Sequence, residues 1–559
     1  MKRTAFVLTV VALVVGGAGE CQGQQQSFDM VVYGGTAGGV TTAVSAARQG
    51  LKTALAEPRT QIGGMVSGGL SGTDLGKREV IGGMSLEFYF RAGRHYGMDR
   101  FSQELAWMPE PKVADALFRE MLKEAGVTLL ERHRLKEKTG VVRQGARIVE
   151  LVMENGARLK AKYFADASYE GDLMAQTGVS YTVGRESVAQ YGESLAGVRE
   201  VTKSHQFAVD IQARDEKGIL LPEVSDQPRG EPGAGDKRVQ AYNFRVIGSN
   251  VPANRVPWPR PAGYDVRRYE LLARYLTAMT TYMGRPLRLN EVNLLRIIPN
   301  GKADFNNRGG FSTDYIGKSY GYPDGTYAER AKIWKEHEEY QKGFYYFLAN
   351  DPRVPASLRD EMRSYGLAKD EFVSNGNWPD QLYIREARRM VGPFVATQKD
   401  LQTERTKSDV IGMGSYNSDS HNVQRFVNDR GFVENEGDVQ VPVQPYQIPY
   451  RVLVPKKEQA ENLLVPVCFS ASHIAYSSLR MEPQYMILGH AAGIAAALAA
   501  SSGGKAVQDI DVAELQKRLL AEGAVFEYGL EHQAKALDAI RARYRARPTG
   551  ERPPWERSK

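Results

Sequence analysis

Two histidines stand in contexts suited to proton transfer. His421 lies in "YNSDSHNVQR", two residues after Asp419, where a carboxylate can orient an imidazole, and His473 lies in "SASHIAYSS", just ahead of a long apolar segment. The chain has only eight histidines, so each can be weighed, and these two are the candidates for a general base. A hydrogen-bonded structural role competes for both, while His95 and His133 lie in segments with no accompanying motif and receive no role. In "LYIREARRMVG" the spacing predicts a helix on which Arg385 and Arg389, four apart, share a face with Arg388 close by. Arg385 is the candidate for clamping a substrate carboxylate or steadying an oxyanion with its planar fork. The competing reading is an internal ion pair, for instance with Glu386. "NGKADFNNRGGFSTD" places Lys302, Asp304, Asn306 and Asn307 on a predicted turn-rich loop, which suits a polyhydroxy ligand and ordinary Asx turns equally. Tyr446 and Tyr450 in "QPYQIPYR" are half-buried aromatics that suit the same cavity or plain packing. No His/Asp/Glu spacing compels a metal site, and no serine sits in a nucleophile elbow.

The elements that must position these groups begin with "VVYGGTAGGVTTAVSAARQG" at 31–50. A β-branched run, a glycine turn, small residues at helical spacing and Gly50 as a stop predict strand, turn and helix, and "KTALAE" predicts a second strand. A dinucleotide fingerprint needs three small positions: for a tight turn, for close approach of backbone to pyrophosphate, and for packing of helix on strand. Gly34, Thr36 and Gly39 occupy them, with Gly35, Ala37 and Gly38 between, so that backbone N–H groups face phosphate at the positive helix end. Thr36 departs from the middle glycine, and its hydroxyl is expected to reach a phosphate oxygen itself. Glu57 ends the second strand at the distance expected of a ribose-hydroxyl acceptor.

Further along, "PKVADALFREMLKEAGVTLLE" predicts a helix feeding a third strand, and Asn155-Gly156 in "RIVELVMENGARLKAKYFADAS" predicts a hairpin. A Pro-, Gly-, Asn- and Tyr-rich middle leads to a compact apolar region at 462–500 and a polar helical tail. The start, "MKRTAFVLTVVALVVGGAGECQGQQQ", has a basic n-region, an apolar h-region and small residues after it, the pattern of a cleaved secretory signal over residues 1–23. Cys468 is the one cysteine after that leader, which excludes disulfide, CxxC and zinc-cysteine schemes from the mature chain. The net charge of +7 over 559 residues, without a dense basic run, argues against a nucleic-acid partner. No later segment is long and apolar enough to suggest integral membrane association.

The layout resembles flavoproteins of the glutathione reductase type: a cradle, a hairpin-bearing segment ending in "FADASYEGD", and a returning strand and helix in "RMEPQYMILGHAAG". More specifically, "GGTAGG", "IGGMVSGGL", "YEGDL" with "GRES", "NGKADFNN", "YIREARRMVG", "DSH" and "NLLVPVCFSASHIAYSSLRMEP" together resemble an FAD-dependent oxidoreductase family common among exported bacterial proteins. The resemblance implies an α/β fold with a three-segment Rossmann-type FAD domain (28–180 and 456–510), an inserted α+β substrate domain (181–455) and a helical tail (511–559). It implies noncovalent FAD held by the cradle, by Gly63, Gly64 and Met65, by Asp166, and by Arg480, Met481 and Glu482 at the start of the last helix. The function implied is oxidation or reduction of a small polar, carbohydrate-like substrate by hydride transfer, with electrons leaving to an acceptor the sequence does not name. A lyase or isomerase working without net redox change is the alternative, and a periplasmic location follows from the leader. A nicotinamide enzyme is disfavoured, because it would not need the C-terminal capping segment.

Overall fold

The computed structural model describes residues 25–98 and 104–545. The leader expected over residues 1–23 lies outside the described residues, as does the end of the polar tail. Met30–Tyr33 is a four-residue run buried at every position, the pattern of a strand covered on both faces. It is the middle strand of a five-stranded parallel sheet ordered Leu463–Leu464, Tyr163–Asp166, Met30–Tyr33, Thr53–Glu57 and Thr128–Glu131. Tyr33 pairs with Ala56 on one side and Asp166 on the other. Because all five strands run the same way, the carboxyl ends that carry Tyr33, Glu57 and Asp166 meet along one edge, where α/β sheets bind ligands.

The helix Ala37–Arg48 returns from the first strand to the second and lies against the long helix Glu482–Ser501. That long helix is apolar all round and buried from Glu482 to Ala499, as an interior helix must be. Its contact with the first helix is backbone to backbone: a Cβ on Gly489 would stand 2.1 Å from the carbonyl oxygen of Gly38. Ser45 Oγ donates to the carbonyl of His490 across the same seam at 2.9 Å. Pro483 lies in the first turn, where its missing N–H costs nothing. The close crossing thus seats the start of this helix beside the glycine turn.

The hairpin expected at Asn155-Gly156 joins Arg147–Val152 to Arg158–Lys160, and Val141–Gln144 adds a further antiparallel strand. The inserted region forms an antiparallel five-stranded sheet, ordered Arg255–Val256, Gly366–Ala368, Val246–Ser249, Lys302–Asn307 and Asn293–Ile298, with the helices Glu270–Met283, Tyr327–Asn350 and Ala356–Ser364. The tail is helical over Val512–Ala521 and Leu530–Arg545. Among the described residues no helix is long and apolar enough to cross a membrane.

Two local expectations are corrected. "LYIREARRMVG" is not a helix: Leu382–Tyr383 pairs with Asn243–Phe244 and Arg389–Met390 with Tyr181–Thr182, so strand pairing takes both ends of the segment. Its three arginines go to separate carboxylates, Arg385 to Asp314, Arg388 to Asp172 and Asp324, and Arg389 to Glu186 and Glu386. "KADFNN" is a strand and not a loop, and its charges are consumed internally. Lys302 Nζ meets Glu110 and Glu371 at 2.5 Å each and Asp370 at 2.9 Å, while Asp304 takes a bidentate pair from Arg245.

Candidate active site

The strand ends open on a cavity of about 510 Å³ whose lining includes Gly34, Gly35, Thr36, Glu57, Tyr169 and Trp334. Gly34 has φ +102°, and a Cβ there would stand 2.6 Å from the backbone nitrogen of Ser168, so the turn excludes any side chain. Thr36 caps the helix: its Oγ1 accepts from Gly39 N–H at 3.1 Å and donates its proton to the carbonyl of Ala167 at 2.8 Å. The hydroxyl is thereby committed to the protein, which corrects the expectation that it serves a phosphate oxygen. The N–H of Ala37 turns toward the carbonyl of Gly63 in the bridge between Thr36 and Gly63, while the first-turn N–H of Gly38 has no acceptor within the helix. Glu57 holds the turn with Oε2 on Gly35 N–H at 2.7 Å and Oε1 on Arg59 N–H at 2.9 Å, leaving lone pairs on both oxygens for hydroxyl donors. Across the cavity the Arg59 guanidinium lies 4.9 Å over the Trp334 ring.

Three segments meet at the inner end through Tyr169. Its hydroxyl accepts from Met65 N–H at 2.8 Å and donates to Glu482 Oε1 at 2.6 Å. Gly63 N–H donates to the carbonyl of Gly35 at 2.7 Å, and Gly64 lines the cavity, where a Cβ would come 2.3 Å from the Tyr169 hydroxyl. Met481 is the N-cap residue of the long helix and Glu482 its first residue. Burial pushes the Glu482 carboxyl up to about 8, the Tyr169 hydrogen bond resisting only in part, and its Oε2 has no hydrogen-bond partner among the described residues. Asp166 is arranged differently from what a cofactor contact requires. Its oxygens accept from Ser168 N–H, Ser168 Oγ and Met174 N–H at 2.7–3.0 Å, and burial raises it to about 6. It braces the "FADASYEGD" turn on which Tyr169 stands.

Arg480 leads from this end to the histidines. Its guanidinium donates to Tyr383 Oη at 3.0 Å and to the carbonyl of Asp419 at 2.7 Å. His421 is buried, its Nδ1 2.6 Å from Asp314 Oδ2 and its Nε2 3.7 Å from Asp419 Oδ1. Arg385 reaches the other oxygen of Asp314 at 3.0 Å and stacks over Tyr383 at 4.6 Å. Burial, then Arg385, depresses His421 below the usual imidazole value, and Asp314 and Asp419 restore only part of it. Burial works to raise Asp314, but Arg385 and His421 overcome it and hold the carboxyl well below its usual range. Ionised Asp314 therefore accepts a hydrogen bond from Nδ1–H and leaves Nε2 as the proton-accepting nitrogen. His473 sits deeper, with Nδ1 2.8 Å from Glu386 Oε2 and its backbone N–H on Glu186 at 2.9 Å. Burial opposes ionisation of Glu386, yet His473 and Arg389 bring it down to about 2. Gln240 links the two histidine clusters, donating to Glu386 Oε2 at 2.8 Å and accepting from His421 N–H at 3.1 Å.

The fold thus gathers His421, Asp419, Arg385 and Arg480 in one cluster and the cradle, Glu57, Gly64 and Tyr169 around one cavity. Sequence reasoning missed Asp314, Gln240 and Tyr169, and offered Glu386 only as an ion-pair partner, which it is for Arg389. Asp314 is 107 residues from His421, with no local pattern to announce it. Tyr169 lies inside "FADASYEGD", where the resemblance points to Asp166 instead.

The profile of the family described as FAD dependent oxidoreductase matches residues 29–519. No curated protein matches the chain. Among solved structures, the chain is similar to a geranylgeranyl bacteriochlorophyll reductase-like protein from Thermoplasma acidophilum, 11% identical, covering 94% of this chain and 98% of that one at a TM-score of 0.33. It is similar to a myxobacterial chondrochloren halogenase, a variant of FAD-dependent halogenases, 21% identical over 29% of this chain and 41% of that one at a TM-score of 0.22. A flavin-containing monooxygenase from Stenotrophomonas maltophilia is 16% identical over 30% of this chain and 43% of its own at 0.18. The chain spans less than half the length of these last two enzymes, and superpositions this loose carry no argument about mechanism.

Proposed function

The chain belongs to the FAD-dependent oxidoreductase family, so FAD is its cofactor, and from that premise we propose that it oxidises a small polar, hydroxyl-bearing donor with His421 as proton acceptor. The residues present fit the cofactor: the free N–H of Gly38 at the positive helix end suits its pyrophosphate and Glu57 a ribose. Glu482 Oε2, buried without a partner, suits a polar edge of its ring system, with Gly64 and Met65 packed on the Tyr169 hydroxyl and Arg480 and Met481 leading into the helix. When bound, FAD supplies the two-electron acceptor for hydride from the donor carbon.

The observation that carries the reading is the setting of His421: Asp314 Oδ2 lies 2.6 Å from Nδ1, and Nε2, 3.7 Å from Asp419 Oδ1, faces charged and polar side chains. A donor hydroxyl placed there gives its proton to Nε2 as its carbon gives up hydride and a carbonyl forms. Asp314 fixes the ring and stabilises the imidazolium that results. Arg480 faces the oxygen side of Asp419 and offers a cation to the carbonyl oxygen as it forms. Arg385 holds Asp314 ionised, a supporting role in place of the substrate clamp. His473 is assigned to the buried ion cluster of Glu186, Glu386 and Arg389, because its side chain is 3% exposed against 9% for His421 and its Nε2 is fully buried, out of reach of a donor.

Anaerobic titration of the FAD-loaded protein with sugars, glycosides, polyols and hydroxy acids tests this. One class of hydroxyl donor should bleach the flavin band. Turnover of a sugar with no bleaching and no acceptor consumed would replace the reading with an isomerase or lyase.

A further inference from the structure

A second imidazole lies against His421. The His205 ring is stacked on it, centroids 5.2 Å apart at 17° between planes. Each has its own carboxylate, since His205 Nδ1 lies 2.7 Å from Asp438 Oδ1 while His421 Nδ1 meets Asp314. His205 sits in the irregular segment around Arg199–Phe207, and it is held in a conformation that a non-glycine residue rarely adopts, φ +47°. Two amides hold it there, the Asn422 and Asn435 side chains both donating to its carbonyl at 2.8 and 2.9 Å. Thr202 adds a hydroxyl to the other oxygen of Asp438 at 3.1 Å. The side chain of His205 is 25% exposed where that of His421 is 9% exposed, so His205 is the outer of the two.

We propose that His205 is a positioning residue for the reaction: it seats its imidazole on His421 and carries a positive charge, held by Asp438, that keeps His421 neutral and able to accept the substrate proton. The proposal rests on His421 being the proton acceptor. The charged groups around the pair are Asp438, Asp314 and Asp419 on the acidic side and Arg385, Arg480 and Arg425 on the basic side, with Glu436 already paired to Arg185. The two environments push in opposite directions. Burial lowers His205, but Asp438 outweighs it and the imidazole is held above its ordinary value, whereas burial and Arg385 hold His421 below. Groups so separated divide into a charged member and a proton-accepting one.

The test uses the full FAD-loaded chain with carbon-labelled histidine, whose eight signals are assigned by single substitutions. At pH 6.5, the ordinary imidazole value, His205 should be the more protonated and His421 the more neutral. In His205→Asn, which tolerates the left-handed backbone and keeps an N–H for Asp438 but no charge, the His421 signal should titrate about one pH unit or more higher. The acid limb of anaerobic flavin reduction should move by the same amount. His421 being the more protonated at pH 6.5 in the parent protein, or titrating unchanged in His205→Asn, overturns the proposal. If the NMR shift is present and no hydroxyl donor reduces either protein, the proposed substrate class fails and the electrostatic role of His205 stands.

Discussion

Replacing Glu482 by glutamine should change how stability depends on pH. The folded carboxyl, raised from 4.5 to about 8, binds its proton more tightly than the unfolded one, so the native state loses stability as pH rises through that window and regains none above it. At about 1.36 kcal/mol per pH unit the span amounts to about 4.8 kcal/mol. Between pH 5.5 and pH 9 only the part of that span from 5.5 to about 8 is crossed, a cost of roughly 3 kcal/mol. Glutamine keeps an oxygen for the Tyr169 hydroxyl and has no proton to lose. A chain of this length unfolds with an entropy of about 1.2 kcal/mol per K, so Tm should move by about 2–3 °C. Tryptophan fluorescence melts of parent and Glu482→Gln at pH 5.5 and pH 9 would show it. The variant should gain that margin on the parent between the two pH values; an equal gap at both would refute the assignment of a protonated, buried carboxyl.

Three further outcomes follow from the same geometry. Gly34→Ala forces a Cβ to within 2.6 Å of Ser168 N at a positive φ and should abolish FAD retention, read as loss of the visible flavin band in protein with unchanged far-ultraviolet circular dichroism. Glu57→Ala removes a charged acceptor worth about 1.5–3 kcal/mol and should weaken FAD about 10- to 100-fold in a titration of the stripped protein. Asp314→Asn leaves His421 without an ionised partner on Nδ1 and should slow flavin reduction by about 10²-fold or more, measured by stopped flow, while the oxidised flavin spectrum stays the same.

The cradle was legible because its signals are local: a β-branched run, glycines where backbone must approach backbone, and Glu57 a fixed distance onward. The late strand and helix were legible as elements, but the pairing of Leu463 with Phe164 joins positions far apart, and the resemblance anticipated it where periodicity did not. The arginine segment misled because spacing four apart is a helical pattern only when the backbone is free to coil, and here strand pairing at Leu382–Tyr383 and Arg389–Met390 decides. Lys302 and Asp304 read as a polar loop for a similar reason: each is buried only because a partner from a distant segment neutralises it. Asp314, His205 and Gln240 had no signal at all, since what makes them part of the site is contact with His421 from distant segments of the chain.

The most direct measurement of the central claim is the rate of anaerobic flavin reduction by the best hydroxyl donor in His421→Gln and in His473→Gln, each loaded with FAD. Reduction should slow by about 10²- to 10⁴-fold in His421→Gln and stay within a few-fold of the parent in His473→Gln. A parent-like rate in His421→Gln, or the larger loss in His473→Gln, would contradict the placement of the proton acceptor.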